Sequence, residues 1–292
     1  MILSNWLRIL VLLSVANLAA VALEPMALDK ALASLVEAEK AYARLGAEKG
    51  FRAASLANLA DNAVIFAPTL TNAKKFWQDA KEDSVIRWRP AFASIARSGD
   101  LGYTTGPAEY RNSSSDQRPN GFGHFVSIWQ KDSTGTWKVI FDVGVNHAEP
   151  EEAEATVKTL VPHQDATNCD SARSKLQKTK TAFAEALKNG QGAAILSSAG
   201  DDIRAYRRGA VPIVSRTAAK PLLESDAGKV SRSSSGGGTS KSCDLDFEYG
   251  EYTSERADGP ERGIYLCIWQ LTSNGDWKLV LDLQKKAPPA KA

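Results

Sequence analysis

The sequence predicts an α+β protein made of two copies of one domain, each a curled antiparallel sheet with helices packed on its concave face. The first observation is a repeat: the 20 residues from Gly123 to Asp142 return from Gly263 to Asp282, with nine identities and no gap. Each copy contains two apolar runs around a glycine-containing turn, which indicates a β-hairpin. In each half, helical periodicity precedes strand-like segments, and 292 residues fit about two domains.

In the first half, apolar residues at helical spacing predict a long helix that begins at Leu28, and a shorter helix follows from Phe51 to Ala60. A buried strand ends before Pro68, and Asn72 is placed to cap a third helix that reaches about Asp83. The predicted strands of the meander are Ile86 to Arg97, Leu101 to Arg111, Phe122 to Gln130 and Trp137 to Val145. Strands of this length must curl around the helices, so we expect a cavity between the two layers.

The predicted domain boundaries follow changes in composition. Residues 28–148 form the first domain, residues 149–168 an acidic, proline-containing linker, and residues 169–286 the second domain. The second domain repeats the element order of the first, with a Ser/Gly-rich run, residues 231–242, expected to be a flexible excursion. Residues 287–292 are expected to be a disordered tail.

The N-terminal 22 residues have the pattern of a signal peptide. Arg8 precedes an apolar run, and Ala20, Val21 and Ala22 supply a small-x-small cleavage site. An uncleaved membrane anchor is the alternative, but the run is shorter than the ~20 apolar residues of a spanning helix. We therefore expect a periplasmic or secreted protein with no stable membrane anchor after cleavage.

Composition argues against several classes of partner. A formal net charge of +2 from 36 basic and 34 acidic side chains does not predict a nucleic-acid-binding face. The three histidines, His124, His147 and His163, are too scattered to predict a metal site, and no motif predicts a cofactor.

The three cysteines all lie in the second half. Export makes disulfides possible, and an odd number leaves at least one thiol unpaired within a monomer. Cys169 with Cys243 is the candidate pair, because Cys267 is not expected to face Cys243 across the strands. Free buried thiols are the alternative.

The first hairpin offers a candidate pair of polar residues. If its turn closes symmetrically, Trp129 opposes Trp137 and His124 opposes Asp142, about 5 Å apart at Cβ. An imidazole oriented by a carboxylate can act as a general base or bind a polar ligand group. In the second copy, however, Asp282 would face Ile264, which argues for a role of the aspartate that is independent of the histidine.

Four sequence segments carry a family resemblance: EKAYARL from Glu39, LADNAVIFAP from Leu59, GDLGYTTGPAEYR from Gly99, and the terminal hairpin. Over about 120 residues, each half resembles a nuclear transport factor 2-like domain, with the cystatin-like cone fold. Within that superfamily it is most similar to the SnoaL-like and ketosteroid-isomerase-like group, especially exported members of unknown function. The fold hosts enzymes, ligand binders and dimerisation modules, so the resemblance specifies no activity.

The resemblance implies that Tyr42 corresponds to the tyrosine that helps to form the isomerases' oxyanion hole. Its counterpart in the second half is Phe183, which has no hydroxyl. The position of the isomerases' general base is Ala67 here and about Arg207 in the second half, and neither accepts a proton at neutral pH. Isomerase chemistry by that mechanism is therefore disfavoured.

Three functions remain as hypotheses. The first is an exported protein that binds a small, partly apolar ligand in the first domain, through Tyr42, Trp88, Tyr103, His124 and Asp142. The second is a lyase, isomerase or hydrolase that uses His124, Asp142 and Tyr42 as catalytic residues. The third is a structural module in which the two domains pair within one chain and mimic a homodimer.

Overall fold

A computed structural model describes residues 25–81, 85–150, 156–161, 168–207, 209–256 and 259–288. The predicted signal peptide, residues 1–22, lies outside these ranges, as do residues 289–292 of the predicted tail. Within them, helices and strands alternate in the same order in both halves, as the sequence predicts.

The described residues of the first half form three helices and seven strands, and those of the predicted linker form an eighth strand. The elements are α1 (Pro25–Lys49), α2 (Phe51–Asn58), β1 (Leu59–Phe66), β2 (Leu70–Asn72), α3 (Ala73–Asp79), β3 (Val85–Trp88), β4 (Phe92–Ile95), β5 (Leu101–Arg111), β6 (Gly121–Lys131), β7 (Trp137–His147) and β8 (Lys158–Leu160). They form one sheet in the order β2-β1-β7-β6-β5-β4-β8, and β3 also pairs with β5. The meander β4 to β7 is antiparallel, while β1 joins β7 in parallel.

The second half repeats this plan with a six-stranded sheet. Its elements are α4 (Cys169–Leu187), α5 (Gln191–Ser198), β9 (Ala199–Tyr206), β10 (Ile213–Val214), α6 (Arg216–Ser225), β11 (Lys229–Thr239), β12 (Leu245–Arg256), β13 (Gly259–Leu271) and β14 (Trp277–Lys286). The strand order is β10-β9-β14-β13-β12-β11, and β9 again joins the last strand in parallel.

Helix capping and periodicity account for the helices. Asn72 accepts a hydrogen bond from Lys75 N at 2.8 Å, so the predicted cap of α3 is confirmed. Asn168 caps α4 in the same way through Ser171 N at 3.0 Å. The apolar stripe of α1 faces the concave side of the first sheet, where Leu35 and Trp129 are buried together.

Several segments differ from the sequence prediction. The segment expected as one strand, Ile86 to Arg97, is two short strands, because Pro90 has no amide hydrogen to continue the ladder. The third helix ends at Asp79. The predicted linker contributes β8, which pairs in parallel with β4.

The Ser/Gly-rich run is not a flexible excursion. It forms most of β11, which pairs with β12 along its length. A Cβ at Gly236 would overlap the hydroxyl end of Tyr249, and a Cβ at Gly237 would overlap the Phe247 carbonyl. These glycines therefore permit close approach of the neighbouring strand, a role that composition alone does not distinguish from flexibility.

The buried apolar side chains of the described residues form three clusters. One lies between the first sheet and its helices, and one between the second sheet and its helices. The third contains residues of both sheets, among them Val126, Phe141, Leu266 and Leu281. The two sheets thus pack against each other through the faces that carry no helices. Backbone and side chains of the two halves also bond directly, as where Arg97 N donates to Asp244 Oδ2 at 3.0 Å.

A disulfide joins Cys169 at the start of α4 to Cys243 before β12, which confirms the candidate pair. Cys267 is free and buried. Across the part of the chain that the structure describes, no helix has the length and hydropathy that a membrane span requires.

Candidate functional site

The side chains of the five residues that the sequence predicts for a ligand site lie on opposite sides of the first sheet. Tyr42, Trp88 and Asp142 line one cavity between the sheet and the helices. Tyr103 lies on the other face, in the cluster between the two sheets, and His124 also faces away from the helices. The structure therefore brings three of the five together.

The predicted opposition of His124 and Asp142 is wrong. His124 pairs with Val145, and Asp142 pairs with Ser127. A β-bulge places one extra residue, Ile140, in β7, and this reverses the alternation of side chains beyond it. The two side chains therefore point to opposite faces of the sheet, and the predicted acid–base pair does not form.

The turn of this hairpin also differs from the symmetric closure. Lys131 pairs with Trp137, so the strands pair two residues further toward the turn than predicted. A shift of two residues leaves each side chain on its predicted face of the sheet. The bulge adds a shift of one more residue, which moves the side chains beyond it to the opposite face. The same bulge recurs in β14, where Val280 is the extra residue.

On the other face, His124 contacts a second histidine. His124 Nδ1 lies 2.7 Å from His147 Nε2, and His147 Nδ1 lies 2.6 Å from the Ala148 carbonyl oxygen. Because a carbonyl only accepts, His147 Nδ1 donates to it, and a neutral His147 then accepts from His124 at Nε2. The described residues contain no group of three or more side chains that could hold a metal ion.

The cavity that contains Asp142 measures about 140 Å³. The apolar part of its lining comes from residues of helices and strands: Phe51, Ile86, Trp88, Ala108 and Phe125. The polar part of its lining comes from four strands and one helix: Tyr42, Tyr110, Ser127, Asp142 and Lys285. A mostly apolar cavity with a few converging polar groups is the usual form of a small-molecule site.

Asp142 is half-buried, and it lines the cavity. Ser127 Oγ donates a hydrogen bond to Asp142 Oδ1 at 3.2 Å. Loss of hydration raises the pKa of Asp142 to about 7, and the nearby carboxyl of Glu39 raises it further. This carboxyl therefore changes its charge near neutral pH.

Glu39 is a second, completely buried carboxyl beneath the cavity. It accepts hydrogen bonds from Trp88 Nε1 at 2.7 Å, Thr104 Oγ1 at 2.6 Å and Trp129 Nε1 at 2.9 Å. Burial raises the pKa of Glu39, and these three donors partly oppose the increase. Through its bond to Trp88, Glu39 fixes one wall of the cavity.

Tyr42 is also buried and reaches the cavity from α1. Its hydroxyl shares a hydrogen bond of 3.0 Å with Ser55 Oγ, and its ring packs edge-on against Trp88 at 4.9 Å between centroids. Burial, followed by the charge of Asp142, raises the pKa of Tyr42 well above its ordinary value. Tyr42 is therefore a neutral hydrogen-bonding group in this site.

Lys285 lines the first-half cavity although it belongs to β14 of the second half. Its Nζ lies 5.6 Å from the ring centroid of Phe66, at the end of β1. Burial lowers the pKa of Lys285, and the charge of Asp142 opposes that effect. The cavity is thus completed by a side chain from the other half.

The equivalent aspartate of the second half, Asp282, is fully buried and bound by two arginines. Arg207 Nη2 lies 2.7 Å from its Oδ2, and Arg232 Nη2 lies 2.9 Å from its Oδ1. Cys267 Sγ, at the position of Ser127, donates to Oδ1 at 3.4 Å. Although burial raises the pKa of Asp282, the two guanidinium groups outweigh it and hold this pKa below its ordinary value.

Strand register identifies what replaces these arginines in the first half. Arg207 corresponds to Ala67 in the repeat. Counted across the sheet, Arg232 lies two strands away from Gly263 and in register with it. Trp88 likewise lies two strands away from Gly123 and in register with it, and Gly123 is the residue that aligns with Gly263. The first half therefore has an alanine and a tryptophan at the positions from which two arginines bind Asp282 in the second half.

The second half has a larger cleft of about 700 Å³. Several charged residues of its lining are already paired: Arg256 Nη1 lies 3.3 Å from Asp226 Oδ1, and Tyr252 Oη donates to Glu261 Oε1 at 2.6 Å. These internal pairs compete with any polar ligand.

The residues that sequence reasoning missed include Glu39 beneath the first-half cavity and Ser127 and Lys285 in its lining. Glu39 has a signal, because it falls on the apolar stripe of α1, four residues after Leu35 and three before Tyr42. Ser127 was visible as the residue aligned with Cys267. Lys285 has no local signal, because its place in the cavity depends on how the two sheets pack.

Neither a protein-family model nor a curated protein sequence matches the chain. Solved structures do match, among them a ketosteroid isomerase-like protein from Erwinia carotovora atroseptica, with 14% identity and a TM-score of 0.35, over 40% of this chain and 96% of that chain. A nuclear transport factor 2-like protein of unknown function from Pseudomonas putida matches with 12% identity and a TM-score of 0.32, over 40% of this chain and 87% of that chain. Their names agree with the resemblance described from the sequence, and they carry no information on substrate or reaction.

Proposed function

We propose that this chain is an exported protein that binds a small, partly apolar ligand in the cavity around Asp142. One observation carries the proposal: the carboxyl of Asp142 lines a cavity and has no guanidinium partner among the described residues, whereas its equivalent Asp282 is bound by two arginines. A polar group that is not satisfied by fixed protein partners is available to a ligand.

The size of the cavity limits the ligand. At about 140 Å³ it is smaller than the ~300 Å³ at the lower end of drug-sized sites. The ligand that fits is therefore a small molecule with an apolar body and one or two polar groups. The apolar body would lie against Phe51, Trp88 and Phe125.

Export is supported by the N-terminal residues 1–22 and by the disulfide between Cys169 and Cys243. Disulfides persist in oxidising compartments and are rare in the cytosol. A periplasmic or secreted location is therefore part of the proposal.

Native mass spectrometry of the protein recovered from its host tests ligand binding. The informative variant is Gly144→Val, because a Cβ at this cavity-lining position has only ordinary contacts, at 3.5 Å, and a larger side chain fills the space. Ser231→Val, on an exposed position of β11, is the control. We expect a bound molecule in wild type and Ser231→Val and its loss in Gly144→Val. If all three proteins retain the molecule equally, it is not bound in this cavity, and the proposed site is wrong.

A second candidate function is a purely structural pseudo-dimer, in which the two halves mimic the subunits of a homodimer. The apolar cluster shared by both sheets favours it. Wild-type protein that carries no bound molecule and also binds none of the ligands tested below supports this alternative.

A further inference from the structure

Lys285 differs from the neighbouring lysine in its surroundings. Lys286 is exposed, and its Nζ lies 3.4 Å from Glu261 Oε2. Lys285 is half-buried, lines the first-half cavity and contacts the ring of Phe66. Among the described residues, no carboxylate forms an ion pair with it.

An ammonium group in this position lacks a full counter-charge. The Phe66 ring contributes a weak cation–π contact at 5.6 Å, and the nearest acidic charge in the cavity is Asp142. Burying an ammonium without an anion is unfavourable, so a ligand that brings a negative charge gains from the interaction.

We propose that the ligand of this cavity is a small monocarboxylate whose carboxylate group is bound by Lys285. This inference rests on the proposed function and adds the chemical class of the ligand. The single ammonium group and the apolar wall of Phe51, Trp88 and Phe125 fit one carboxylate on an apolar body. A phosphate dianion fits less well, because a second negative charge would lie near Asp142 without a cation.

Binding of a carboxylate is coupled to the proton on Asp142. The titratable groups that surround Asp142 are Glu39 and Tyr42 of α1, Tyr110 of β5 and Lys285 of β14. Protonated Asp142 donates a hydrogen bond to the ligand carboxylate, whereas ionised Asp142 repels it. Affinity therefore decreases as the pH rises through neutrality.

The proposal also gives the second half a role in binding. Lys285 belongs to β14, so the ligand site contains side chains from both halves of one chain. In a single copy of the domain, the cavity would lack its cation.

Isothermal titration calorimetry with acetate, butanoate and benzoate, and with the neutral analogue benzamide, tests the ligand class. The proteins are wild type, Lys285→Met and the control Lys286→Met. We expect at least one carboxylate to bind wild type and Lys286→Met, with a loss of about 10- to 100-fold in Lys285→Met, since hydrogen bonds to charged groups are of that strength. Benzamide binding should be the same in all three proteins, and carboxylate binding should weaken from pH 6 to pH 8.

The outcomes separate this inference from the proposed function. Equal carboxylate affinity in wild type and Lys285→Met overturns the role of Lys285. A molecule found by native mass spectrometry, together with no binding of any carboxylate, overturns the ligand class and leaves the proposed function intact. No bound molecule and no binding of any of the four compounds overturns both.

Discussion

Asp142 and Asp282 occupy the same position in the two copies of the hairpin, yet their surroundings have opposite effects on the carboxyl group. Asp282 lies between Arg207 and Arg232, and its pKa is held below the ordinary value. Asp142 has Ser127 as its hydrogen-bond donor, and its pKa is raised to about 7. The two sites contain the same carboxyl group in a similar backbone, so the difference comes from the residues around it.

The two halves also differ in the charge that the first helix of each half places beneath its sheet. Glu39 lies three residues before Tyr42 in α1, and Lys180 lies three residues before Phe183 in α4. Lys180 Nζ pairs with Asp246 Oδ2 at 2.6 Å and Glu248 Oε2 at 3.0 Å. The second half thus has a set of paired charges, while the first half has two carboxyl groups beside a cavity. Burial without a counter-ion favours the neutral form of an acid, whereas a guanidinium favours the charged form.

The largest expected effect comes from the same substitution at both positions. Asp282→Asn leaves Arg207 and Arg232 buried without their shared anion, so we expect a loss of about 3–5 kcal/mol in the free energy of unfolding. Asp142→Asn breaks no ion pair among the described residues, so we expect no loss of this kind at pH 7. Urea denaturation of both variants measures the difference. Equal losses would show that the two carboxyl groups are equivalent after all.

The pH dependence of stability separates the two sites next. Folded Asp142 titrates at about 7 and the unfolded group near its ordinary value of 3.8. Between these values the folded state holds a proton that the unfolded state has released, so stability decreases with rising pH, by up to ~1.4 kcal/mol per unit. Above about pH 7 this contribution no longer changes. Asp142→Asn should make the decrease smaller, since the raised pKa of Glu39 contributes in the same direction in both proteins. Unfolding of wild type and variant from pH 4 to pH 8 measures this, and parallel curves would refute the assignment.

Ala67→Arg transfers one guanidinium of the second half to the first. An opposite charge within about 4–6 Å lowers a carboxyl pKa by roughly 1–3 units, so we expect Asp142 to titrate below neutral pH in this variant. Carbon-13 NMR of labelled aspartate carboxyl groups measures the shift directly. Ala67→Gln, which adds a long side chain without a charge, is the control and should leave the titration near that of wild type.

The smallest effect is expected from Tyr42→Phe, which gives the first half the residue found at Phe183. The variant loses the hydrogen bond of 3.0 Å between the Tyr42 hydroxyl and Ser55, with a cost of about 1 kcal/mol in stability. Thermal unfolding measures this cost. If Tyr42 contacts the ligand, ligand affinity should decrease as well, whereas the double variant Tyr42→Phe, Ser55→Ala should recover stability without recovering affinity.

Much of the fold was predictable from the sequence because it depends on local patterns. The repeat around Trp137 and Trp277, the helical stripe of α1 and the cap at Asn72 all lie within short windows. The Ser/Gly-rich run was predicted wrongly, because the packing of Tyr249 against Gly236 is a tertiary contact. In the site, Tyr42, Trp88 and Asp142 were predicted, while His124 was misplaced by the bulge at Ile140.

The sequence by itself determined the repeat of the hairpin segment, the order of elements and the inequality of the two halves, because periodicity and internal comparison need no coordinates. Tertiary structure decided which polar groups meet. A bulge of one residue separated His124 from Asp142, since side chains alternate with a period of two along a strand. The packing of one sheet on the other placed Lys285 in the first-half cavity. No local sequence pattern predicts such a contact, because it joins residues that are far apart in the chain.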